Sequence, residues 1–219
     1  MNAINAFLAL DSRSLHHLNG AYMVLLKKKE NPNDIRDYRP ISLIHNFPGK
    51  LITKCLVQRL TPVLELLVRR NQSAFIKGHS LHDNVREVQL ACKAIHALKT
   101  LCFVLKIDIA KAFDSVAWNF LLEVLQHMGF GRRWMNWISI VLVTSNTRIL
   151  LNGQPGRRIC HARGLQQGDA LSQMLFVLIM ETLNNSLNWV EQRGFHYYTT
   201  VNRDGHFTST AVGIGVRHE

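Results

Sequence analysis

Residues 103–118 read FVLKIDIAKAFDSVAW, and this stretch determines how the rest of the chain is interpreted. Its first half alternates, so that Leu105 and Ile107 share one face of a predicted strand. The other face presents Lys106 and Asp108 side by side at the carboxyl end of that strand. A carboxylate there could hold Mg²⁺ and orient a triphosphate for phosphoryl or nucleotidyl transfer, or it could form a surface ion pair.

The chain is strongly basic and long enough to bury a core. It has 219 residues, of which 47% are hydrophobic, and its 26 Lys and Arg outnumber 15 Asp and Glu to give a net charge of +11. Such an excess suits a polyanion, either nucleic acid or an acidic membrane surface, although a merely soluble basic protein has the same composition. Composition therefore favours a folded chain and leaves these classes open.

Cysteine placement and apolar run lengths argue against a secreted or membrane-spanning protein. The four cysteines, Cys55, Cys92, Cys102 and Cys160, lack the short paired spacing typical of a zinc ribbon or a disulfide framework. The longest wholly apolar run, at 174–180, is far shorter than the ~20 residues that a membrane span needs. We therefore expect an intracellular protein without a membrane partner.

Helical and strand patterns follow one another along the chain without a linker. Apolar residues recur with helical spacing in five stretches, at about 50–70, 85–99, 115–129, 132–144 and 169–194. Pro62 divides the first stretch into two helices or one kinked helix, and Ser115 is positioned to cap the third. Alternating residues around a Gly and Pro turn predict a hairpin at 147–162, and Asp204 with Gly205 predicts a second hairpin.

Four separate blocks of this sequence occur in a recognisable order. They read DYRPISLIHNFPGKLITKCLVQRL at 37–60, NQSAFIKGHSLHDN at 71–84, LKIDIAKAFDSVAWNFLLEVLQHMGF at 105–130 and ILLNGQPGRRICHARGLQQGDALSQMLFVLIMETL at 149–183. Together they resemble the reverse transcriptase domain of non-LTR (LINE-type) retrotransposons, especially those of plants, over about residues 20–195. One block alone is weak evidence, but four in the right order are not expected by chance.

The resemblance implies a right-hand polymerase fold of the α+β class, with partial fingers and palm and an antiparallel palm sheet packed on helices. The whole chain, 1–219, is then a partial reverse transcriptase domain. Residues 20–99 form mainly the fingers, 100–195 the palm with its motifs A and B, and 196–219 a divergent C-terminal tail. The implied activity is RNA-directed DNA polymerisation, with an RNA template, a DNA primer and deoxynucleoside triphosphates as partners.

Residue by residue, the resemblance assigns a nucleotide site. Asp108 corresponds to the first metal-binding, catalytic aspartate, and the carbonyl of Ile109 beside it to a second oxygen donor for Mg²⁺. Phe113 stands where the family keeps an aromatic gate that would collide with a ribonucleotide 2′-hydroxyl, although a core aromatic would also suit this position. Gln167 and Gly168 match the motif B pair, in which glutamine contacts the incoming nucleotide and glycine lets the backbone approach closely.

Several basic residues are candidates for phosphate or nucleic-acid contacts. Arg39 in YRPIS and Arg163 in RGL carry guanidinium groups, whose fork suits a phosphate. Arg39 is assigned to the substrate and Arg163 to the nucleic acid, and either could instead be structural. Lys27, Lys28 and Lys29 form a basic run that is either a solvated face or part of a nucleic-acid track, and the resemblance favours the track.

The sequence departs from the family most clearly in its carboxylates. Two-metal transfer needs more than one carboxylate, and intact relatives supply two from an Ala-Asp-Asp hairpin. No two acids are adjacent in these 219 residues, and Asp204, at the predicted hairpin tip, is more simply a turn residue. Gln166 also stands where the family usually has arginine, and Ala170 and Gln173 replace its prolines.

These departures favour an incomplete copy, truncated before the Ala-Asp-Asp box, with weak Mg²⁺ binding and little or no polymerase activity alone. Whether the chain is an enzyme is therefore open between two hypotheses. In the first, activity persists, alone or with the missing part supplied by another chain. In the second, the chain is a non-catalytic relic that binds RNA or DNA through its basic surface, with an affinity that falls steeply with salt. A third possibility is a fragment that exposes apolar surface and does not stay folded.

Overall fold

The computed structural model describes most of the chain, which forms two compact units. The described residues are 3–11, 15–16, 18–44, 47–69, 72, 75, 81–99, 102–107, 109, 111–166, 168–191, 193, 195–196 and 210–216. The first unit is formed by residues 1–59 and 113–173, and the second by 60–112 and 174–219. Each unit therefore combines two separated segments of the chain.

Helices and strands are both well represented. The helices are α1 (Ala3–Leu8), α2 (Phe47–Leu67), α3 (Leu81–Leu98), α4 (Ala112–Ser115), α5 (Trp118–His127), α6 (Arg132–Val143) and α7 (Ala170–Glu191), with a 3-10 turn at Ile35–Asp37. The strands are β1 (Gly20–Lys27), β2 (Tyr38–Ile44), β3 (Cys102–Ile107), β4 (Asn146–Leu151), β5 (Gln154–Cys160), β6 (Phe195–His196) and β7 (Thr210–Val216). Strands and helices are interspersed along the chain, and the predicted α+β class is confirmed.

A four-stranded mixed sheet organises the first unit, in the order β2-β1-β4-β5. Strand β1 pairs antiparallel with β2 but parallel with β4, from Gly20 opposite Asn146 to Met23 opposite Ile149. No local sequence pattern indicates this parallel pair, because its two strands lie far apart in the chain. The N-terminal strands are thereby joined directly to the hairpin that precedes α7.

The predicted hairpin at 147–162 is confirmed as β4 and β5. Its turn residues, Asn152 and Gly153, both have positive φ angles, of 49° and 79°. They lie between Leu151 and Gln154, which pair directly. Two central residues with positive φ match a type I′ turn, whose twist suits antiparallel strands and whose preferred sequence is Asn-Gly. The turn type therefore follows from local sequence.

Two amphipathic helices, α5 and α6, supply much of the buried surface of the first unit. In α5, Leu121 and Leu125 are both 0% exposed, and the helix ends before Gly129, whose φ is +84°. Burying each such leucine stabilises the fold by about 2 kcal/mol. The start of α5 differs from the prediction, because Ala117 is its N-cap residue and Ser115 belongs to the preceding α4. The expectation that Ser115 caps this helix is therefore wrong.

Helix α2 runs without interruption through Pro62. Proline removes a backbone hydrogen-bond donor and disfavours a helix interior, which is why the sequence allowed two helices here. Leu60 and Leu64, on either side of the proline, are 0% and 1% exposed. Burial on both sides outweighs the local cost, and α2 is a single helix.

A three-stranded antiparallel sheet belongs to the second unit, in the order β3-β7-β6. Strand β7 pairs along the whole of β3, from Cys102 opposite Gly215 to Ile107 opposite Thr210. Strand β6 pairs antiparallel with β7, as the second predicted hairpin requires, and the predicted tip at Asp204 lies outside the described residues. Strand β7 thus lies beside the strand that precedes Asp108 in the sequence.

No helix within the described ranges is both long enough and apolar enough to cross a lipid bilayer. The thiols of Cys55, Cys92 and Cys160 are free and lie on exposed residues.

Candidate functional site

The loop before α7 is hydrogen-bonded to the segment that links α4 and α5. The backbone N–H of Gly164 donates to the Val116 carbonyl at 2.8 Å, and that of Leu165 donates to the Phe113 carbonyl at 2.8 Å. The indole N–H of Trp118 in turn donates to the Gly164 carbonyl at 2.8 Å. Three bonds over so short a stretch fix the loop and the segment relative to each other.

Gly164 is the point of closest approach in this contact. Its φ is +84°, and a Cβ built on it would lie 3.1 Å from both the Cα and the carbonyl oxygen of Asp114. A left-handed backbone disfavours any residue with a Cβ, and backbone atoms of a hydrogen-bonded segment cannot easily move aside. Only glycine fits at this position without strain.

Gly168 makes a second close approach, to strand β2. Its φ is +95°, and an added Cβ would lie 3.3 Å from the carbonyl oxygen of Ser42. Glycine therefore lets the loop backbone pass close to β2, and the contact of Gly168 with the incoming nucleotide stays a prediction. The same loop thus contacts β2 on one side and the α4–α5 segment on the other.

Asp169 links the loop to helix α7. Its Oδ2 accepts hydrogen bonds from the backbone N–H of Ser172 at 3.2 Å and from the Ser172 hydroxyl at 3.3 Å. This is an N-cap interaction at the first turn of α7. Burial raises the pKa of the Asp169 carboxyl above its ordinary 3.8, while bonds from Ser172 and from Thr53 of α2 oppose that rise.

The raised pKa of Asp169 predicts a defined pH dependence of stability. The folded chain holds a proton on Asp169 at pH values where the unfolded chain has released it, so stability falls as pH rises through the raised pKa. We expect Asp169→Asn to keep the cap and flatten this slope. We expect Asp169→Ala to flatten it as well but to lose about 1 kcal/mol through loss of the cap.

Urea unfolding at a series of pH values between about 4 and 7 checks this expectation. Glu181 is also buried and its pKa is raised, chiefly by burial, so it contributes a slope of its own in all three proteins. The difference between wild type and Asp169→Asn isolates Asp169. If Asp169→Asn were as unstable as Asp169→Ala, the capping role would be wrong.

Three sequence blocks meet at this loop, all within the first unit. They are the block at 37–60, through Ser42, the segment at 113–118, and the loop at 163–169. Chain segments far apart in sequence are thus assembled around the glycine-bearing loop. The residues that were grouped by sequence resemblance are grouped by contact as well.

Residues 26–199 match the family model described as reverse transcriptase (RNA-dependent DNA polymerase). The chain belongs to the reverse transcriptase family. The matched range includes the four sequence blocks and the loop before α7.

Relatives of this reverse transcriptase domain come from transposable elements. The chain is 30% identical over 162 residues to the Xenopus laevis "Transposon TX1 uncharacterized 149 kDa protein", covering 74% of this chain and 12% of that one. It is 25% identical over 178 residues to the Pol polyprotein from the type-2 retrotransposable element R2DM of Drosophila melanogaster, covering 78% and 16%. A Pol polyprotein from the type-1 retrotransposable element R2 of Popillia japonica is 30% identical over 159 residues, covering 72% and 22%.

These relatives show a reverse transcriptase domain of the non-LTR retrotransposon type, as the sequence blocks predicted. The chain spans between 12% and 22% of the length of the three relatives. A solved structure, that of apo telomerase from Candida tropicalis truncated from its C-terminal domain, is similar with a TM-score of 0.56 over 92% of this chain and 44% of that one. At 12% identity this likeness concerns the fold alone, and it confirms the predicted polymerase fold with partial fingers and palm.

The predicted nucleotide-site residues of this reverse transcriptase domain are described only in part. Asp108 and Gln167 lie outside the described residues. Ile109 is half-buried, and Phe113, in α4, is 6% exposed. A ring that is so deeply buried suits a core aromatic. The gate role requires contact between this ring and the sugar of a nucleotide, and it stays a prediction.

The predicted basic residues of the reverse transcriptase domain differ in their surroundings. Lys28 donates to the Arg36 carbonyl at 2.8 Å, and Lys29 forms an ion pair with Asp37 at 2.9 Å. Lys29 is the main cause of the lowered pKa of Asp37. Lys27 and Arg39 are exposed at the paired ends of β1 and β2, and Arg163 is exposed in the loop, so their charges face solvent.

Sequence reasoning missed several residues that hold the loop in this reverse transcriptase domain. Nothing in the sequence indicates the indole bond from Trp118 to the loop. Ser42 carries no signal of its own, because its role depends on a neighbour that is distant in sequence. The Nε2 of Gln166 is buried and has no hydrogen-bond partner in the described part of the chain.

Metal binding by this reverse transcriptase domain has no support in the described residues. Among them, no three His, Cys, Asp or Glu side chains come together in a way that could hold a metal ion. Since Asp108 lies outside those residues, the described donor set does not by itself fit Mg²⁺.

Proposed function

We propose that this reverse transcriptase domain binds an RNA template, a DNA primer and a deoxynucleoside triphosphate, the components of RNA-directed DNA synthesis. The observation that carries the proposal is the meeting of three sequence blocks at the loop before α7. A loop fixed in position on two sides suits the placement of a bound nucleotide. The excess of positive charge, +11, supports binding of a polyanion.

The proposed roles of individual residues follow the family pattern. Asp108 and the Ile109 carbonyl would provide oxygen donors to Mg²⁺, whose role when bound is to neutralise phosphate charge. Phe113 would select the sugar, and Gln167 and Gly168 would contact the incoming nucleotide. The exposed basic residues Arg39, Arg163 and Lys27–Lys29 would contact phosphates of substrate, template or primer. The reaction would take place in the nucleus or the cytoplasm.

We further propose that these 219 residues have little or no polymerase activity by themselves. Two-metal transfer needs several carboxylates close together, and no two acids are adjacent in the sequence. The second candidate function is non-catalytic binding of nucleic acid. It is favoured by the same shortage of carboxylates together with the large excess of Lys and Arg over Asp and Glu. The two functions differ in whether Asp108 matters.

Primer extension on a primed RNA template, with Mg²⁺ and deoxynucleotides, tests the proposal together with RNA binding over a salt series. Wild type is compared with Asp108→Ala, and Asp204→Ala is a matched loss of one carboxylate at the predicted hairpin tip. We expect no extension from any of the three. We expect RNA affinity to fall steeply with salt, with a slope of log K against log salt near −3.5 for about five phosphate contacts, and to be equal in all three.

Two results would contradict the proposal in different ways. Extension by wild type that Asp108→Ala abolishes would show that these residues retain catalysis, and loss in Asp204→Ala as well would identify a replacement carboxylate. RNA binding that is absent, in a chain that melts cooperatively, would remove the nucleic-acid function itself.

A further inference from the structure

A polar cavity of about 190 Å³ opens beside the sheet of the first unit. It is lined by Tyr22 of β1, Arg148 of β4 and Arg158 of β5, together with Asn146 and His16. None of its lining residues belongs to the loop before α7, and none carries a carboxylate. The space is several times the ~30 Å³ share of one water molecule, so it has room for a small polyatomic ion.

Two arginines face each other across this cavity. Arg148 pairs directly with Arg158 across the β4–β5 ladder, and Tyr22 of β1 is the parallel partner of Arg148. Directly opposed like charges destabilise a strand pair. Neither guanidinium forms an ion pair with a carboxylate in the described part of the chain. The repulsion is therefore left uncompensated by the protein.

The alternation of the strands keeps both guanidinium groups on the open face of the sheet. Thr147, which precedes Arg148 in β4, points to the other face and is 1% exposed. A register slip would expose this buried residue, so the register is strongly specified. Arg148 and Arg158 are consequently held side by side at the cavity.

His16 lines the same cavity. Its Nδ1 is buried and has no hydrogen-bond partner among the described residues. The residue is held by its backbone, because the side-chain amide of Asn146 donates to the His16 carbonyl at 2.8 Å and to the Thr144 carbonyl at 3.1 Å.

We propose that this cavity binds a phosphate group. Guanidinium forks match the geometry of phosphate oxygens, and a phosphate between Arg148 and Arg158 would compensate their repulsion. The phosphate can come from inorganic phosphate or from a nucleic-acid backbone, and the inorganic case does not depend on the function proposed above.

Titration of inorganic phosphate into the full chain tests the site, at constant ionic strength maintained with chloride. The variant is Arg148→Gln with Arg158→Gln. The control is Arg132→Gln with Arg157→Gln, which removes the same charge from exposed residues that do not line the cavity. We expect wild type and control to bind phosphate with dissociation constants within about twofold of each other, and the variant to bind at least roughly tenfold more weakly.

A cooperative melt verifies that each protein is folded, and the variant should melt no lower than wild type at low salt because the opposed charges are gone. Single-stranded RNA then distinguishes the two sources. If the variant binds RNA with a salt slope smaller by about 0.7 per phosphate lost, the occupant is a backbone phosphate, and an unchanged slope assigns the site to free phosphate. Equal phosphate affinity in variant and control, or no binding by wild type, would overturn the proposal.

Discussion

Gly164→Ala is expected to lose about 2–4 kcal/mol of unfolding free energy. About 1–2 kcal/mol of this comes from a left-handed backbone that alanine disfavours, since φ is +84°. The remainder comes from a methyl group placed 3.1 Å from the Cα and carbonyl oxygen of Asp114. The Asp114 backbone cannot withdraw easily, because the neighbouring carbonyls of Phe113 and Val116 accept bonds from the same loop.

The matched control for this change is Gly129→Ala. Gly129 has the same φ of +84°, but an added Cβ would meet nothing within 4 Å. It should therefore show the backbone cost alone, about 1–2 kcal/mol. Urea unfolding of the two variants beside wild type measures the difference. Equal losses would mean that the loop and the α4–α5 segment are not in the close contact described.

Gly49→Ala is expected to cost about 2–4 kcal/mol for a different reason. Gly49 lies in the first turn of α2, where alanine would normally stabilise a helix by about 1 kcal/mol. The added Cβ, however, would overlap the carbonyl oxygen of Leu18. That carbonyl is not free to move, because the adjacent Asn19 side chain donates to the Val141 carbonyl at 2.6 Å and to the Thr144 hydroxyl at 3.0 Å.

Lys50→Ala provides the control, since it puts alanine at the next, exposed position of the same helix. Its unfolding free energy should lie within about 0.5 kcal/mol of wild type. Thermal and urea unfolding of both variants give the comparison. A Gly49→Ala chain as stable as wild type would show that α2 does not pack against the backbone at Leu18.

Features with short-range causes were predictable from the sequence. The Asn152–Gly153 turn and the end of α5 at Gly129 follow from the positive φ that these residues tolerate. Pro62 shows the limit, since its local cost allowed two helices but burial of the leucines beside it produced one. The predicted N-cap role of Ser115 is also wrong, because Ser115 ends the short helix α4 and the N-cap residue of α5 is Ala117.

The sequence indicated which residues to examine at the loop before α7, but it did not indicate their contacts. Gly168 was chosen because glycine permits close approach, yet nothing in its local sequence identifies Ser42 as the neighbour. The same holds for Trp118, whose indole bond to Gly164 joins residues 46 positions apart. Partners of this kind are set by tertiary packing, and their residue types are compatible with many other roles.

The parallel pairing of β1 with β4 has a consequence for how the protein is made. Asn19 and Asn146, which meet at the start of that pair, are 127 positions apart. At synthesis rates of about 5–20 residues per second, the N-terminal strands leave the ribosome on the order of 10 s before their partner exists. During that interval the β1 edge is an unpaired template, open to other chains or to chaperones. The four-stranded sheet of the first unit can therefore form completely only after the β4–β5 hairpin has been translated.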